Sequence, residues 1–378
     1  MNNRNRSICY ICFIWVCLLL PLLIYPFLYG ILDHENHESR ALTQWKDVAE
    51  SDWLSMFPKL ESFIEDNIPY KNEVVGLISC IDESVFGDSY NADVMVGKDN
   101  WLFYKGDGCI QDYRGGQVVK MSELMSYADA SIALQNAAQA RGIELYLLIT
   151  PNKEMIYGDR YMPDRVKRVS DVSRTDQIVG FLSNNTDVRI IYPKEALLEA
   201  SGRYQVWLKY DTHWNDLGAF TASMALLGMG ISDHTMTLED VQIVENGLTG
   251  GDLANMLGRT KDYSDDINYS VKGYYDNIQV RSVETVNQRY LDFDIIESGQ
   301  KTGKTVLYIG DSFLGYMKQY VSKNADKSIF IHRDNYESFG RDLIAEEKPD
   351  IIVFQIAERF IDQYDDAMLR FAGIIEEE

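Results

Sequence analysis

Residues 7–32 carry no charged side chain and are dominated by Ile, Leu, Val, Phe, Trp and Tyr. The run exceeds the roughly 20 residues that an α-helix needs to cross a hydrocarbon core. Arg4 and Arg6 precede it and Asp33, Glu35 and Glu38 follow it. The positive-inside bias then sets the N-terminus in the cytoplasm and the remainder of the chain outside. A cleaved signal peptide is the rival reading, but the apolar run is long for one and no small-x-small site follows it. Ile14-Trp15-Val16 ahead of Cys17 also departs from the small residues that precede a lipid-modified cysteine. Pro21 and Pro26 interrupt the run, which spanning helices tolerate. The expected start is a cytoplasmic tail (residues 1–6) and an uncleaved membrane anchor (residues 7–32).

Residues 33–90 place Phe57, Leu60, Phe63 and Ile64 at helical spacing, punctuated by Pro58 and Pro69, and predict a helical connector. Residues 91–378 read as one α/β domain. Two short β-rich runs around Gly97-Lys98-Asp99-Asn100 predict a hairpin, and a helix over residues 122–140 stops at Gly142. Apolar β-rich runs then recur at 144–150 (ELYLLIT), 188–192 (VRIIY), 305–309 (TVLYI), 328–332 (SIFIH) and 350–356 (DIIVFQI). A loop follows the first, and helical stretches appear near 176–182, near 314–321, between the last two strands and after them. Buried strands alternating with helices predict a parallel sheet sandwiched by helices. From about residue 240 to 298 the pattern turns to Tyr-rich alternation with many turn residues, an inserted β-rich segment near the active face.

Composition narrows the function classes. Hydrophobic residues at 46% and charged residues at 25% fit a packed globular chain. The formal charge of -22 argues against nucleic acid, whose phosphates need clustered Lys and Arg, and repels anionic polymers at long range. Three of five cysteines (Cys9, Cys12, Cys17) lie in the apolar run. Cys80 and Cys109 leave room for one bridge, which is no disulfide scaffold. With no CxxC pair outside the apolar run and no HExxH, neither a metal nor another cofactor is expected.

Two motifs carry candidate chemistry. Gly310-Asp311-Ser312-Phe313 stands where the TVLYI strand gives way to a helix, the sheet edge at which α/β proteins bind ligands. A serine there has its own amide and a helix N-terminus beside it, suited to a developing oxyanion. Asp311 or Ser312 could equally be a helix N-cap. Asp211-Thr212-His213-Trp214-Asn215 precedes a helix starting near Asp216. A serine hydroxyl needs an adjacent base, usually His, oriented by a carboxylate. The bland alternative is a capped helix with a surface His and a core Trp. Of five histidines, His34 and His37 adjoin the anchor and His234 lies in a polar loop. His332, at a strand end, competes with His213 but has no carboxylate within its own motif.

Several stretches together resemble the DHHW family, whose catalytic domain is similar to SGNH hydrolases and which includes the alginate O-acetylation proteins. They are VGKDNWLFY (96–104), LITPNKEMIYGDRYMP (148–163), GGDLANML (250–257) and KPDIIVFQIAERF (348–360), beside the Asp-x-His and serine motifs. Thr212 replaces the family's second histidine, and Gln355 stands where an acidic residue is expected. The resemblance implies an SGNH-hydrolase-like fold and assigns catalysis to Ser312, His213 and Asp211. It implies acetyl transfer to a polysaccharide, with a membrane-bound O-acyltransferase supplying the acetyl group across the membrane and no soluble cofactor. Candidates for oxyanion or substrate contacts are the Ser312 amide, the Gly250-Gly251 loop, Arg333 and Trp214. Arg333 fits a surface ion pair as well, and Trp214 fits the core better than a groove. Tyr263, Tyr269, Tyr274 and Tyr275 are candidates to line an acceptor site. An acetyl esterase with the same triad, or a silent glycan-binding or assembly protein, are the competing readings.

Overall fold

The computed structural model describes residues 3–32, 34, 36, 42–86, 91–233, 235–286 and 293–376. Helix α1 (Asn3–Leu28) takes in all but the last four residues of the apolar run, three of which form a 3-10 turn (Tyr29–Ile31). Cys12–Ile31 is the one stretch among the described residues long and apolar enough to cross a membrane. Asp33, Glu35 and Glu38, and likewise His37 and His234, lie outside the described residues. The connector folds as α2 (Trp45–Ala49), α3 (Trp53–Asp66) and α4 (Lys71–Phe86). Asp52 caps α3, its carboxylate accepting from the Ser55 amide at 2.8 Å.

The expected hairpin forms from β1 (Val94–Val96) and β2 (Leu102–Tyr104), with Asp99 and Asn100 in the left-handed conformation that its turn requires. Then come α5 (Cys109–Arg114), α6 (Met121–Ala140) and β3 (Glu144–Thr150). Helix α7 (Lys153–Tyr161) occupies the expected loop. Its first six residues, Lys153 and Glu154 included, are buried, so packing rather than amphipathic patterning makes it helical. Next are α8 (Arg174–Asn185), started by a Ser173–Asp176 capping box, β4 (Arg189–Ile191), α9 (Lys194–Ser201) and α10 (Asp216–Leu226).

The Tyr-rich segment contains β5 (Gln242–Leu248), α11 (Asp252–Met256), β6 (Asp266–Lys272), β7 (Val280–Val286) and β8 (Phe293–Ser298). The chain ends with β9 (Thr305–Gly310), α12 (Phe313–Val321), β10 (Lys327–His332), α13 (Tyr336–Glu347), β11 (Ile351–Ala357) and α14 (Tyr364–Glu376). The main sheet runs β4-β3-β11-β9-β10-β8-β7. Its first five strands are parallel, but β8 joins β10 antiparallel and β7 joins β8 antiparallel. The expected parallel sheet forms these first five strands, and it becomes mixed where strands of the inserted segment join it. Half of the inserted segment extends it, while β5 and β6 pair separately. Cys80 is exposed and Cys109 buried, both as free thiols.

Both faces of the sheet are covered. Val306 and Tyr308 of β9 enter one core with Trp207, Trp214, Phe220 and Phe313; Leu307 and Ile309 enter the other with Leu134, Ile178 and Phe371. Strand β9 lies between β10 and β11, so the chain leaves it first to one side and then to the other. That reversal opens a crevice at the carboxyl end of β9.

Glu358, just past β11, ties the strand ends together. Its carboxylate accepts from the Asn152 amide and the Tyr192 hydroxyl, each at 2.9 Å. Burial raises its pKa to about 7, only partly offset by those hydrogen bonds. The folded state thus holds this proton more tightly than the unfolded chain, whose glutamate titrates near 4.5. Its contribution to stability is complete below pH 4.5 and is lost as pH rises to about 7. The swing is at most roughly 3 kcal/mol. Thermal unfolding across this range should decline less steeply for Glu358→Gln than for the parent protein, and parallel slopes would remove Glu358 as the cause.

Candidate active site

Trp207 and Trp214 form an isolated antiparallel bridge, with Leu208 N–H donating to the His213 carbonyl at 3.1 Å. Asn215 then caps α10 by accepting from the Leu217 and Gly218 amides at 3.1 and 3.0 Å. Gly218 permits this closure, since a Cβ there would lie 2.1 Å from the Val206 carbonyl oxygen. Asp211, Thr212 and His213 are left at the tip of a tight loop. The buried Lys153 ammonium fills that loop, donating to the carbonyls of Leu208, Lys209 and Asp211 at 3.3, 3.2 and 2.7 Å.

At the tip, Asp211 Oδ1 accepts from His213 Nδ1 at 2.7 Å and from the His213 amide at 2.9 Å. His213 Nε2 lies 2.6 Å from Ser312 Oγ. With Nδ1–H committed to the carboxylate, Nε2 is left to accept the serine proton, the arrangement of a nucleophile, base and orienting acid. The imidazole is packed by Phe313 (ring centroids 4.9 Å apart) and stacked on Tyr316 (5.8 Å). Burial opposes charge on Asp211, but hydrogen bonds from the His213 side chain and from the Asp252 and His213 amides outweigh it and hold its pKa at about 2. The carboxylate therefore stays ionised.

Ser312 is exposed at the carboxyl end of β9 and makes no capping bond. Asp311 takes that duty: one carboxylate oxygen accepts from the Phe313 amide at 3.1 Å, the other from the Ala357 amide at 2.8 Å. The two N-cap alternatives thus separate, Asp311 capping while the Ser312 hydroxyl turns to His213. Gln355 accepts from the Asp311 amide at 2.8 Å and donates to Thr150 Oγ1 at 3.0 Å. Gln355 is fully buried, where a neutral amide avoids the cost of desolvating a carboxylate. Gly310 is needed beside it, because a Cβ would fall 2.2 Å from Gln355 Oε1.

Two supporting residues escaped the sequence reading of the site. Asp252 accepts from the Thr212 amide at 2.7 Å and from the Thr212 hydroxyl, while its own amide donates to Asp211 Oδ2 at 2.9 Å. Lys153 is the other. They lie in the GGDLANML and LITPNKEMIYGDRYMP stretches, and a Lys three residues past the largely apolar run of β3 was the available signal. Gly251 lets α11 approach the loop: a Cβ there would sit 2.4 Å from the Tyr210 carbonyl oxygen. Its place is structural support for Asp211.

The remaining candidates go elsewhere. Trp214 is fully buried, edge-on to Phe313 at 5.0 Å, in the core. Arg333 stacks on Phe360 at 4.0 Å, bonds Gln363 at 3.2 Å and pairs with Asp334. Contrary to the expectation, His332 does have a carboxylate neighbour, Asp334, 3.5 Å from Nδ1, but it is His213 that bonds Ser312 Oγ. Tyr263, Tyr269 and Tyr274 are buried, so they fill cores and cannot stack on a sugar, contrary to the expectation for an acceptor site. Asp211, His213 and Asp252 bring three ligand-type atoms within 4.8 Å of one another, a set that could hold a cation. In the arrangement seen, their hydrogen bonds to one another and to Thr212 already engage those atoms.

The model of the family described as "SGNH hydrolase-like domain, acetyltransferase AlgX" matches residues 94–318. A relative named as the probable alginate O-acetylase AlgJ of Pseudomonas putida is 26% identical over 204 residues, covering 52% of this chain and 50% of that protein. The chain spans about half the length of this curated relative. A DHHW family protein from Eubacterium siraeum superposes with TM-score 0.51 at 14% identity, over 75% of this chain and 94% of that one. Bacillus cereus PatB1 does so with TM-score 0.52 at 15% identity, over 70% and 95%. The family match gives the SGNH hydrolase-like fold, and the two structural likenesses share that fold over 70–75% of the chain.

Removing the Lys153 ammonium takes a donor from three inward-facing carbonyls, of which that of Lys209 keeps the Leu102 amide at 3.1 Å. Lys153→Met should cost on the order of 3 kcal/mol in a urea unfolding titration. A loss within experimental error would mean that the loop closes without it.

Proposed function

The chain belongs to the SGNH hydrolase-like domain family of acetyltransferase AlgX, matched over more than half its length, and from that premise we propose that it is a polysaccharide O-acetyltransferase working through a serine acyl-enzyme. The observation that carries this reading is the continuous Asp211–His213–Ser312 hydrogen-bond chain, with links of 2.7 and 2.6 Å. Ser312 Oγ attacks the acetyl carbonyl as His213 Nε2 takes its proton. The tetrahedral intermediate's oxygen is stabilised by the Ser312 amide at the N-terminus of α12. Collapse breaks the donor's acyl bond, and His213 returns the proton to the leaving group. A sugar hydroxyl then attacks the acetyl-serine, giving its proton to His213, and the Ser312 oxygen leaves as a hydroxyl. Asp211 stays ionised and holds the imidazole tautomer throughout.

The apolar helix with its basic N-terminal flank supports a membrane anchor with the catalytic domain on the extracytoplasmic side. Family resemblance supports a membrane-bound O-acyltransferase as the source of acetyl groups. The relative's name supports a polysaccharide as the acceptor class. An exposed Ser312 is also open to water, which keeps an acetyl esterase as the second reading.

With an activated acetyl ester, Ser312→Ala should lose covalent acetylation as read by intact-protein mass spectrometry. Asp211→Asn should lower turnover by about 10⁴ while leaving the fold intact. Adding oligosaccharides should yield acetylated sugar besides acetate; acetate alone across several acceptors would favour the esterase.

The net charge of -22 makes a further discrimination. Neutral or cationic glycans should be acetylated faster than polyuronates at low salt. Raising ionic strength should narrow the gap by screening repulsion. A salt-independent preference would mean that local contacts, not the overall field, choose the acceptor.

A further inference from the structure

The connector carries more exposed apolar surface than a water-facing protein tolerates. On α3, Trp53 and Leu54 are 72% and 86% exposed, with Phe57 and Ile64 exposed beyond them. On α4, Asn72 and Gly76 press against Gly258, where a Cβ on Gly76 would fall 2.6 Å from the Gly258 carbonyl oxygen. Ser79 is buried on that same face. At 3.6 residues per turn, Val74, Ile78, Ile81 and Val85 project on the opposite side, and all four are exposed. Contiguous apolar surface of this extent marks an interaction site.

The neighbouring element identifies the occupant. The Tyr70 hydroxyl, at the turn between α3 and α4, donates to the Pro21 carbonyl at 2.8 Å, and its ring meets Tyr25 edge-on at 5.3 Å. Pro21 and Tyr25 lie inside Cys12–Ile31, the stretch that can cross a membrane. The exposed stripes therefore continue an apolar helix side by side. Both α3 and α4 satisfy their backbone groups internally, as residence at a lipid boundary requires.

We infer that α3 and α4 dock on the bilayer that α1 crosses, their apolar stripes entering the lipid beside the outer half of that span. This deepens the proposed function and rests on its membrane anchor. Gly258, which α4 grips, ends the turn after α11, whose first residue Asp252 braces the catalytic loop. Lipid docking would thereby fix the height of Ser312 above the membrane that delivers the acyl donor.

The test uses the full chain in phosphatidylcholine–phosphatidylglycerol liposomes, with a bimane probe on single cysteines in a cysteine-free background. Probe sites are Leu54→Cys, Ile64→Cys, Ile78→Cys and Val85→Cys, with Glu346→Cys as the water-facing control. Lipid-borne nitroxides should quench the four connector probes several-fold more than the control, and aqueous iodide should do the reverse. Equal iodide quenching at all five sites, in protein that still withstands a carbonate wash, would overturn the docking surface alone. Protection from both quenchers with energy transfer between copies would replace lipid by a second copy of the chain. Release of the protein by the wash would overturn the anchor and the docking surface together.

Discussion

A single ammonium group holds the candidate site in shape. Lys153 sits fully buried where ionised groups are costly, and burial pulls its pKa below the usual lysine range. Three carbonyl oxygens of the loop preceding His213 point at it, and the carboxylates of Glu154, Asp252 and Asp211 offset its charge. A loop this tight turns its carbonyls inward, away from water, although that of Lys209 also accepts from the Leu102 amide of β2 at 3.1 Å. They need a donor from inside, and a flexible four-carbon stem ending in three N–H bonds meets the geometry.

Around that centre the backbone is brought closer than side chains usually allow. Gly251 lets α11 rest on the Tyr210 carbonyl, and only then can the Asp252 amide reach Asp211. Gly310 lets Gln355 reach across to the Asp311 amide. The second approach sets the start of α12, and with it Ser312; the first sets Asp211. His213 and Ser312, 99 residues apart in the chain, meet at 2.6 Å because each is fixed by such a contact. The sheet supplies the place, since its order reverses around β9 and leaves the end of that strand open.

What the sequence disclosed follows from the kind of force involved. Strands β3, β9, β10 and β11 are buried on both faces, so they read as unbroken apolar runs. The start of α10 was legible because its cap, Asn215, is local. The Asp-x-His and Gly-Asp-Ser motifs were legible because their chemistry is concentrated in adjacent residues. Helix α7 was not, since Lys153 and Glu154 read as solvent-facing until the loop that encloses them is known. Asp252, 40 residues from Thr212, has no local mark of its role. The tyrosines of the inserted segment misled because aromatic residues serve cores and sugar-binding surfaces alike. Only β8 docking on β10, with β6 and the following turn against α10 and α12, decides for the core.

The same contacts separate what is rigid from what is open. Asp211 and Thr212 are enclosed by Lys153 below and Asp252 beside, so the base has one orientation and one tautomer. Ser312, by contrast, stands exposed at the rim, flanked by Tyr316, whose ring stacks on His213. Activating the serine therefore requires no rearrangement, and an extended polymer can reach it without a deep pocket. Under the proposed acyl-enzyme mechanism the difficulty shifts to the second half-reaction, in which water at such a rim competes for the acyl group. A sugar hydroxyl prevails only if it is held in line with the ester, and effective molarities on the order of 10⁵ M or more are what such positioning supplies. With Tyr263, Tyr269 and Tyr274 committed to the cores, that positioning falls to groups on the rim itself. Of the two rings packed on His213, Phe313 is buried and Tyr316 is half-buried, so Tyr316 is the one that a glycan could meet. Under the proposed transfer reaction, a glycan held against the exposed part of that ring would stand beside the base that must take its proton, a constraint that hydrolysis does not impose.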